Sequence, residues 1–409
     1  MNMDRLPRVM LIYRTMIPSI RLCGHAQMRA LCDKGEIEYR HFPIRLLGGQ
    51  DLSWPDIVLL GRLDTRAEEY IVRRLKRMKK YLIYILDDDL LSVPENASSA
   101  AHYGTREVKS HIKRMIGLSD AILSPSPLIL EKYAQHHRKM TTEEPAIAPA
   151  SYQRHASDQT VTIGFAGSVD RVSDVECVLR EALERIHAEY GSRVRFSFFG
   201  GVPSFAQNLD AQVIPYNDSY DEYRRTLNEA NWDIGLAPMM DSSFHRYKHY
   251  NKFCEYAAAG IVGVFSRKEP YIRLEQTIGI GCFCENTAKS WYNAIAGLLN
   301  HPQERESLRE QACRYAHEKL SPEHIAEDLL TTYADVFSYR APACKRPVYL
   351  RTIMFRQIAA RLLILWQAHG WRMLGYLVHA GFSRIRKRSL PKKPGFNDAK
   401  TKECSDGSE

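Results

Sequence analysis

Two series of short apolar runs, separated by helix-patterned stretches, set what this chain can become. In the first series the runs fall at 9–14, 37–44, 56–61, 81–86 and 121–125, with helical spacing over 65–80 and 106–118. The second series has runs at 161–167, 195–200, 212–216, 233–237, 261–266 and 281–285. Its helical stretches lie at 174–190, 220–230, 244–259 and 287–299, followed by 305–319 and 322–337. Strand, helix and strand joined by short connections imply right-handed crossovers and a parallel sheet covered on both faces. The expected fold class is therefore α/β, with two Rossmann-like, doubly wound domains facing a cleft. Ligands of such sheets bind outside the carboxyl ends of the strands.

The predicted boundaries are 1–140 for the first domain, 141–159 for a linker, 160–337 for the second domain and 338–409 for a basic extension. The linker reading rests on the Thr, Glu, Pro, Ala and Ser content of 140–158, which shows little periodicity. A chain of 409 residues has room for two cores and an appendage. The net charge of +9 suggests a polyanion partner until it is located along the chain. Residues 338–409 hold fifteen Lys or Arg against four Asp or Glu, so the remaining body is close to −2. The body thus gives no electrostatic case for nucleic acid.

Residues 241–260 carry the most chemistry. Read as a helix from Phe244, they place Lys248, Lys252 and Glu255 at i, i+4 and i+7 on one face, with Gly260 where a helix stops. Two ammonium groups and a carboxylate ahead of a buried strand suit a nucleoside diphosphate, with lysines on phosphate and the carboxylate on ribose hydroxyls. A solvated face held by a Lys–Glu pair has the same spacing. Gly167 and Ser168 end the first strand of the second series, where backbone N–H groups can meet a phosphate, and Arg171 follows as a basic candidate. An ordinary strand-end turn and a loop charge fit those residues too. Asp241, Ser242 and Ser243 read as caps, and His245 as a solvated residue.

The I-G-F-A-G-S turn from Ile163, the D-I-G-L-A-P strand from Asp233, the K-x-x-x-K-x-x-E-Y-A-A-A-G run from Lys248 and the late stretch from Trp291 resemble the nucleotide-binding half of GT-B glycosyltransferases. The resemblance is nearest to the group 1 and group 4 type enzymes that build bacterial surface polysaccharides. It covers 160–337 well and 1–140 loosely. It implies sugar transfer from a nucleotide-diphosphate sugar to a lipid-linked or polysaccharide acceptor, in the retaining and metal-independent manner, with no other cofactor. Carried over by position, Glu255 matches the second glutamate of the family's Glu-x7-Glu pattern, which binds the donor ribose. The first glutamate's position is occupied by Tyr247, a departure that leaves sugar recognition and stereochemistry open. Lys248 and Lys252 are the implied phosphate ligands, with Lys252 and Glu255 as the catalytic pair. A non-catalytic nucleotide-binding or scaffold protein on the same fold is the alternative.

Other signals are weaker. The three aspartates at 87–89 read either as a metal-binding D-x-D or as a strand end lining the cleft. One of them, His102 or His111 is a candidate base toward an acceptor hydroxyl, since such a base needs hydrogen-bond reach. Ser19, Arg21 and His25, after the first strand, are acceptor-side candidates or plain loop polarity. No G-x-G-x-x-G, P-loop or G-x-S-x-G is present. Nine cysteines lack zinc spacing, and Cys282 and Cys284 read as thiols on one face of a strand. The opening residues show no secretory pattern, so the body is expected to be cytoplasmic. Residues 350–388 are apolar, aromatic and arginine-rich, with Trp366, Trp371 and a basic cluster from Arg384. They suit two interfacial helices on an anionic membrane surface, or a helical extension packed on the body. From Pro391 the chain is expected to be disordered.

Overall fold

The computed structural model describes residues 5–147, 160–217, 219–277 and 280–343. The predicted basic extension from 344 onward, including 350–388, lies outside the described residues, as does most of the predicted linker.

The first sheet contains β1 (Arg8–Tyr13), β2 (Glu38–Pro43), β3 (Ile57–Gly61), β4 (Tyr81–Ile85), β5 (Ala121–Ser124) and β6 (Arg138–Thr141). Their order is β2-β1-β3-β4-β5-β6, and every neighbouring pair is parallel. The second contains β7 (Val161–Gly167), β8 (Val194–Gly200), β9 (Gln212–Ile214), β10 (Ile234–Ala237), β11 (Val262–Ser266) and β12 (Cys282–Cys284). Its order is β12-β11-β10-β7-β8-β9, again all parallel. In each sheet the chain starts inside, builds outward to one edge and then crosses to the other. That crossing creates the switch point where such sheets open a crevice. The expected α/β fold with two doubly wound sheets is the one observed.

The central strands are apolar on both faces because helices cover both faces. β3, β10 and β11 are buried along their whole length. β6 is different: its R-K-M-T sequence buries only Met140, as an edge strand with one protected face does. Without alternation to mark it, this strand escapes a sequence reading and merges with the linker composition that follows. The helix Pro322–Thr332 and the short helix Ala334–Phe337, with Tyr333 between them, send Ala326, Leu329, Tyr333, Val336 and Phe337 into the core of the first sheet, beside Leu11, Ile57 and Ile83. Cys284 is part of the second core and Cys282 packs against it, in keeping with buried thiols on one face.

Two glycines permit close approaches that position the second sheet. Gly164 of β7 lies under Trp232, so near that an added Cβ would fall 2.0 Å from the indole ring. Gly260 has φ +66°, the left-handed conformation that lets the chain turn from the helix Asn251–Ala258 into β11. Gly164→Ala is expected to lower stability by about 1–3 kcal/mol, because neither the strand nor the buried indole has room to yield. A urea midpoint that is unchanged in this variant would show that the Trp232 contact is not tight.

Candidate functional site

A cavity of about 310 Å³ opens at the carboxyl ends of both sheets. Gly167 and Ser168 at the end of β7, and Pro238 and Met239 after β10, form one wall. Ser19 after β1, Asp87 and Asp88 after β4, and Glu144 after β6 form the other. Lys248, Asn251, Lys252 and Glu255 close it from the segment ahead of β11. All six sequence-derived candidates (Gly167, Ser168, Arg171, Lys248, Lys252 and Glu255) therefore line one space.

The expected continuous helix from Phe244 is corrected by the structure. Residues His245–Tyr247 form a 3-10 turn, Lys248 is extended at φ −71° and ψ 164°, and the α-helix begins only at Asn251. The cause is long-range: Tyr250 Oη donates to Glu143 at 2.6 Å, and the His249 ring lies 2.7 Å from the same carboxylate. Those two buried residues hold the chain out of helical geometry. Lys248 consequently does not stack above Lys252 on one helical face; it reaches the cavity from an extended strap. Tyr247 points toward the first sheet, where Lys132 Nζ sits 4.7 Å from its ring centre, and it does not line the cavity.

Each cation of the cavity has an anionic partner. Lys252 donates to Glu255 at 2.5 Å and to Tyr223 Oη at 2.9 Å, while Tyr223 donates to Glu255 at 2.7 Å. The ion pair foreseen from the spacing thus forms, with Glu255 only 12% exposed. Lys248 donates to Asp88 at 3.1 Å across the cleft, and Arg62 holds both Asp87 and Asp88. Burial alone would raise the Asp88 carboxyl; Lys248 and Arg62 outweigh it and keep it below the usual carboxylate range. Arg171 is tied to the carbonyl of Pro238 at 2.5 Å and lies 3.0 Å from Asp174, so its guanidinium braces the end of β10 at the cavity edge.

The aspartates at 87–89 are taken up by protein cations: Asp89 accepts from Lys132 at 2.7 Å and from Tyr133. Among the described residues no group of three or more His, Cys, Asp or Glu is arranged to hold a metal ion. His102 lies 2.9 Å from Asp64 and His111 2.8 Å from Glu69, and neither lines the cavity. Of the acceptor-side candidates, Ser19 lines the cavity, Arg21 bridges to Asp221 at 2.7 Å, and His25 sits against Tyr39 and His41. His245 is half-buried rather than solvated; burial, with Arg171 and Lys248 nearby, pushes its pKa down to about 4. Ser242 accepts from the His245 N–H and caps that turn, as expected of it.

Glu144 had no sequence signal beyond being one of two glutamates in a Thr- and Pro-rich stretch. Its side chain is 2% exposed, and its Oε2 has no hydrogen-bond partner among the described residues. Burial, then Asp87, Asp88 and Glu255, push its carboxyl well above the usual range. Its neighbour Glu143 has the opposite fate: burial is outweighed by His249 and Tyr250, and its pKa is lowered.

Solved structures of the same architecture frame this geometry. HepE of Anabaena, solved with UDP and glucose, superposes with a TM-score of 0.55 at 12% identity, covering 81% of this chain and all of that one. Sucrose-phosphate synthase of Thermosynechococcus elongatus gives 0.56 at 12% identity, over 81% of this chain and 99% of that one. A putative UDP-N-acetylglucosamine 2-epimerase of Listeria monocytogenes gives 0.53 at 14% identity, over 84% and 99%. The chain has the GT-B fold. No protein-family model matches it, and no curated protein matches it in sequence.

Glu144 and Asp88 give stability opposite pH dependences. A carboxyl raised on folding, as Glu144 is, destabilises the native state increasingly as pH rises from the unfolded value near 4.3 through the folded value. Asp88, lowered on folding, adds stability above its unfolded value that is lost as pH falls through its folded value. Glu144→Gln is therefore expected to raise the urea midpoint relative to the parent at pH 8 and to match it at pH 4. An equal difference at both pH values would show that Glu144 ionises normally.

Proposed function

We propose that this chain is a glycosyltransferase that moves a sugar from a nucleotide-diphosphate sugar to a lipid-linked or polysaccharide acceptor. The observation that supports it best is the convergence of Arg171, Lys248, Lys252 and the Gly167–Ser168 turn on one cavity between two doubly wound sheets. A volume of about 310 Å³ is at the lower end of ligand sites, which run from roughly 300 to 1,000 Å³. HepE holds UDP and glucose on the same fold, which favours a nucleotide sugar over other diphosphates.

In this reading a diphosphate replaces Glu255 as the partner of Lys252 and draws Lys248 away from Asp88. The two ammonium groups and the strand-end N–H groups then face the charge that builds on the departing diphosphate. Glu255, released from Lys252, accepts from the ribose hydroxyls while Tyr223 continues to donate to it. The positive charge that the transition state requires comes from protein groups and calls for no divalent ion. Retention at the anomeric carbon is the outcome that the resemblance to group 1 and group 4 type enzymes implies, and product stereochemistry reads it directly. The rival, a non-catalytic nucleotide-binding scaffold, predicts ligand binding without turnover.

Lys252→Ala is expected to lower turnover on a defined donor and acceptor by about 100-fold to 1,000-fold with the fold intact, the usual loss when one transition-state charge partner is removed. Glu255→Ala is expected chiefly to weaken nucleotide binding, seen as a smaller thermal shift with a nucleotide sugar. Wild-type activity in both variants rules out the assignment of this pair.

We also propose a cytoplasmic location with peripheral attachment of 350–388 to an anionic membrane surface. No helix among the described residues is long and apolar enough to cross a membrane. The full chain should float with vesicles containing anionic lipid, and a version ending at residue 343 should stay in the soluble fraction. Equal flotation of the two would remove the lipid role of the tail.

A further inference from the structure

Four carboxyl side chains line the cavity: Asp87, Asp88, Glu144 and Glu255. Three are matched to cations, with Arg62 on Asp87, Arg62 and Lys248 on Asp88, and Lys252 on Glu255. Glu144 is the exception. It faces no ammonium or guanidinium group within hydrogen-bond distance among the described residues, and its Oε2 is buried with no partner.

A buried polar oxygen without a partner is costly, and native structures rarely leave one unless a ligand or water completes it. Its backbone is held, since the Cys254 thiol lies 3.5 Å from the Glu144 carbonyl and can donate to it. This contact ties the Glu144 backbone to the helix Asn251–Ala258, and the residue lines the cavity together with Lys248 and Lys252. An uncharged carboxyl both donates and accepts, which matches a hydroxyl group. Burial and the neighbouring Asp87, Asp88 and Glu255 favour this uncharged form. The cavity thus has a cationic part and, separately, a neutral hydrogen-bonding group that the cations do not use.

We propose that Glu144 is a specificity-determining residue whose carboxyl recognises a hydroxyl of the donor's sugar, independently of the nucleotide. The inference rests on the nucleotide-sugar reading above and adds to it the group that reads the sugar. Tyr247, turned away onto Lys132, leaves that role to a residue from the other side of the cleft.

The experiment is calorimetric titration of the full chain with UDP, GDP and their hexose conjugates, carrying forward the pair that binds best. In Glu144→Met the Kd of the nucleotide sugar should rise about fivefold to tenfold, the effect of one neutral hydrogen bond. The Kd of the bare nucleotide should stay within about twofold of the parent's, as expected if no bond to it is lost. Glu144→Gln, which keeps a donor and an acceptor, should restore the difference. Deoxy-hexose conjugates provide the same test on the unaltered protein: one position should lose affinity in the parent and lose nothing further in Glu144→Met. Equal changes for nucleotide and nucleotide sugar, or no sensitivity to any deoxy position, overturn the inference and leave the donor reading standing. Failure of the parent to bind any nucleotide or conjugate overturns both.

Discussion

Asp88 stands between Lys248 and Arg62, and the cleft depends on that arrangement. Arg62 and Asp88 belong to the loops after β3 and β4, whereas Lys248 arrives from the other sheet. The group is only partly exposed, with Arg62 at 16% and Asp88 at 23%. In such surroundings removing one partner leaves an uncompensated charge, and that loss exceeds what the pair itself contributes. The link therefore fixes how the two rows of strand ends face each other. On the proposed function it would also give an incoming diphosphate a defined competitor, since Lys248 cannot serve Asp88 and phosphate equally well. The pairs Arg21–Asp221 and Ser98–Asp170 cross the same cleft, at 2.7 Å each, farther from the cavity.

The same chemistry explains why the cavity is mixed in sign. Its cations come mostly from the second sheet and the segment before β11, and most of its carboxyls come from the first. Facing rows of opposite charge hold the two sides of the cleft together, and on the proposed function they would offer separate contacts to the anionic and neutral ends of a donor. Electrostatic complementarity of this kind specifies orientation more than it adds affinity.

Strand and helix positions were largely legible because central strands in a doubly wound sheet are continuous apolar runs and their helices keep a 3.6-residue period. β7 and the helix Arg106–Leu118 coincide with their predicted limits. β6 was not legible, because an edge strand of charged residues carries no alternation. The break at Lys248–Tyr250 was not legible either: helical spacing is a local property, whereas Glu143 acts on His249 and Tyr250 from more than a hundred positions away. Composition and motifs pointed to Lys252 and Glu255. Nothing local distinguished Glu144 from Glu143, and yet one is buried without a partner while the other is paired with His249. Their difference arises entirely from tertiary packing.

The return of the last helices onto the first sheet has a bearing on how the chain is made. Leu11 and Phe337 share one core, so the sheet that β1 begins lacks part of its cover until the final described segment is synthesised. Contacts of such sequence separation form late and slow the search for the native state. Until then the uncovered face around Leu31 and Ile37 is an apolar surface open to wrong partners, the situation in which larger proteins misassemble or engage chaperones. Completion of the first sheet is thereby tied to completion of the second, and the two halves of the cleft mature together.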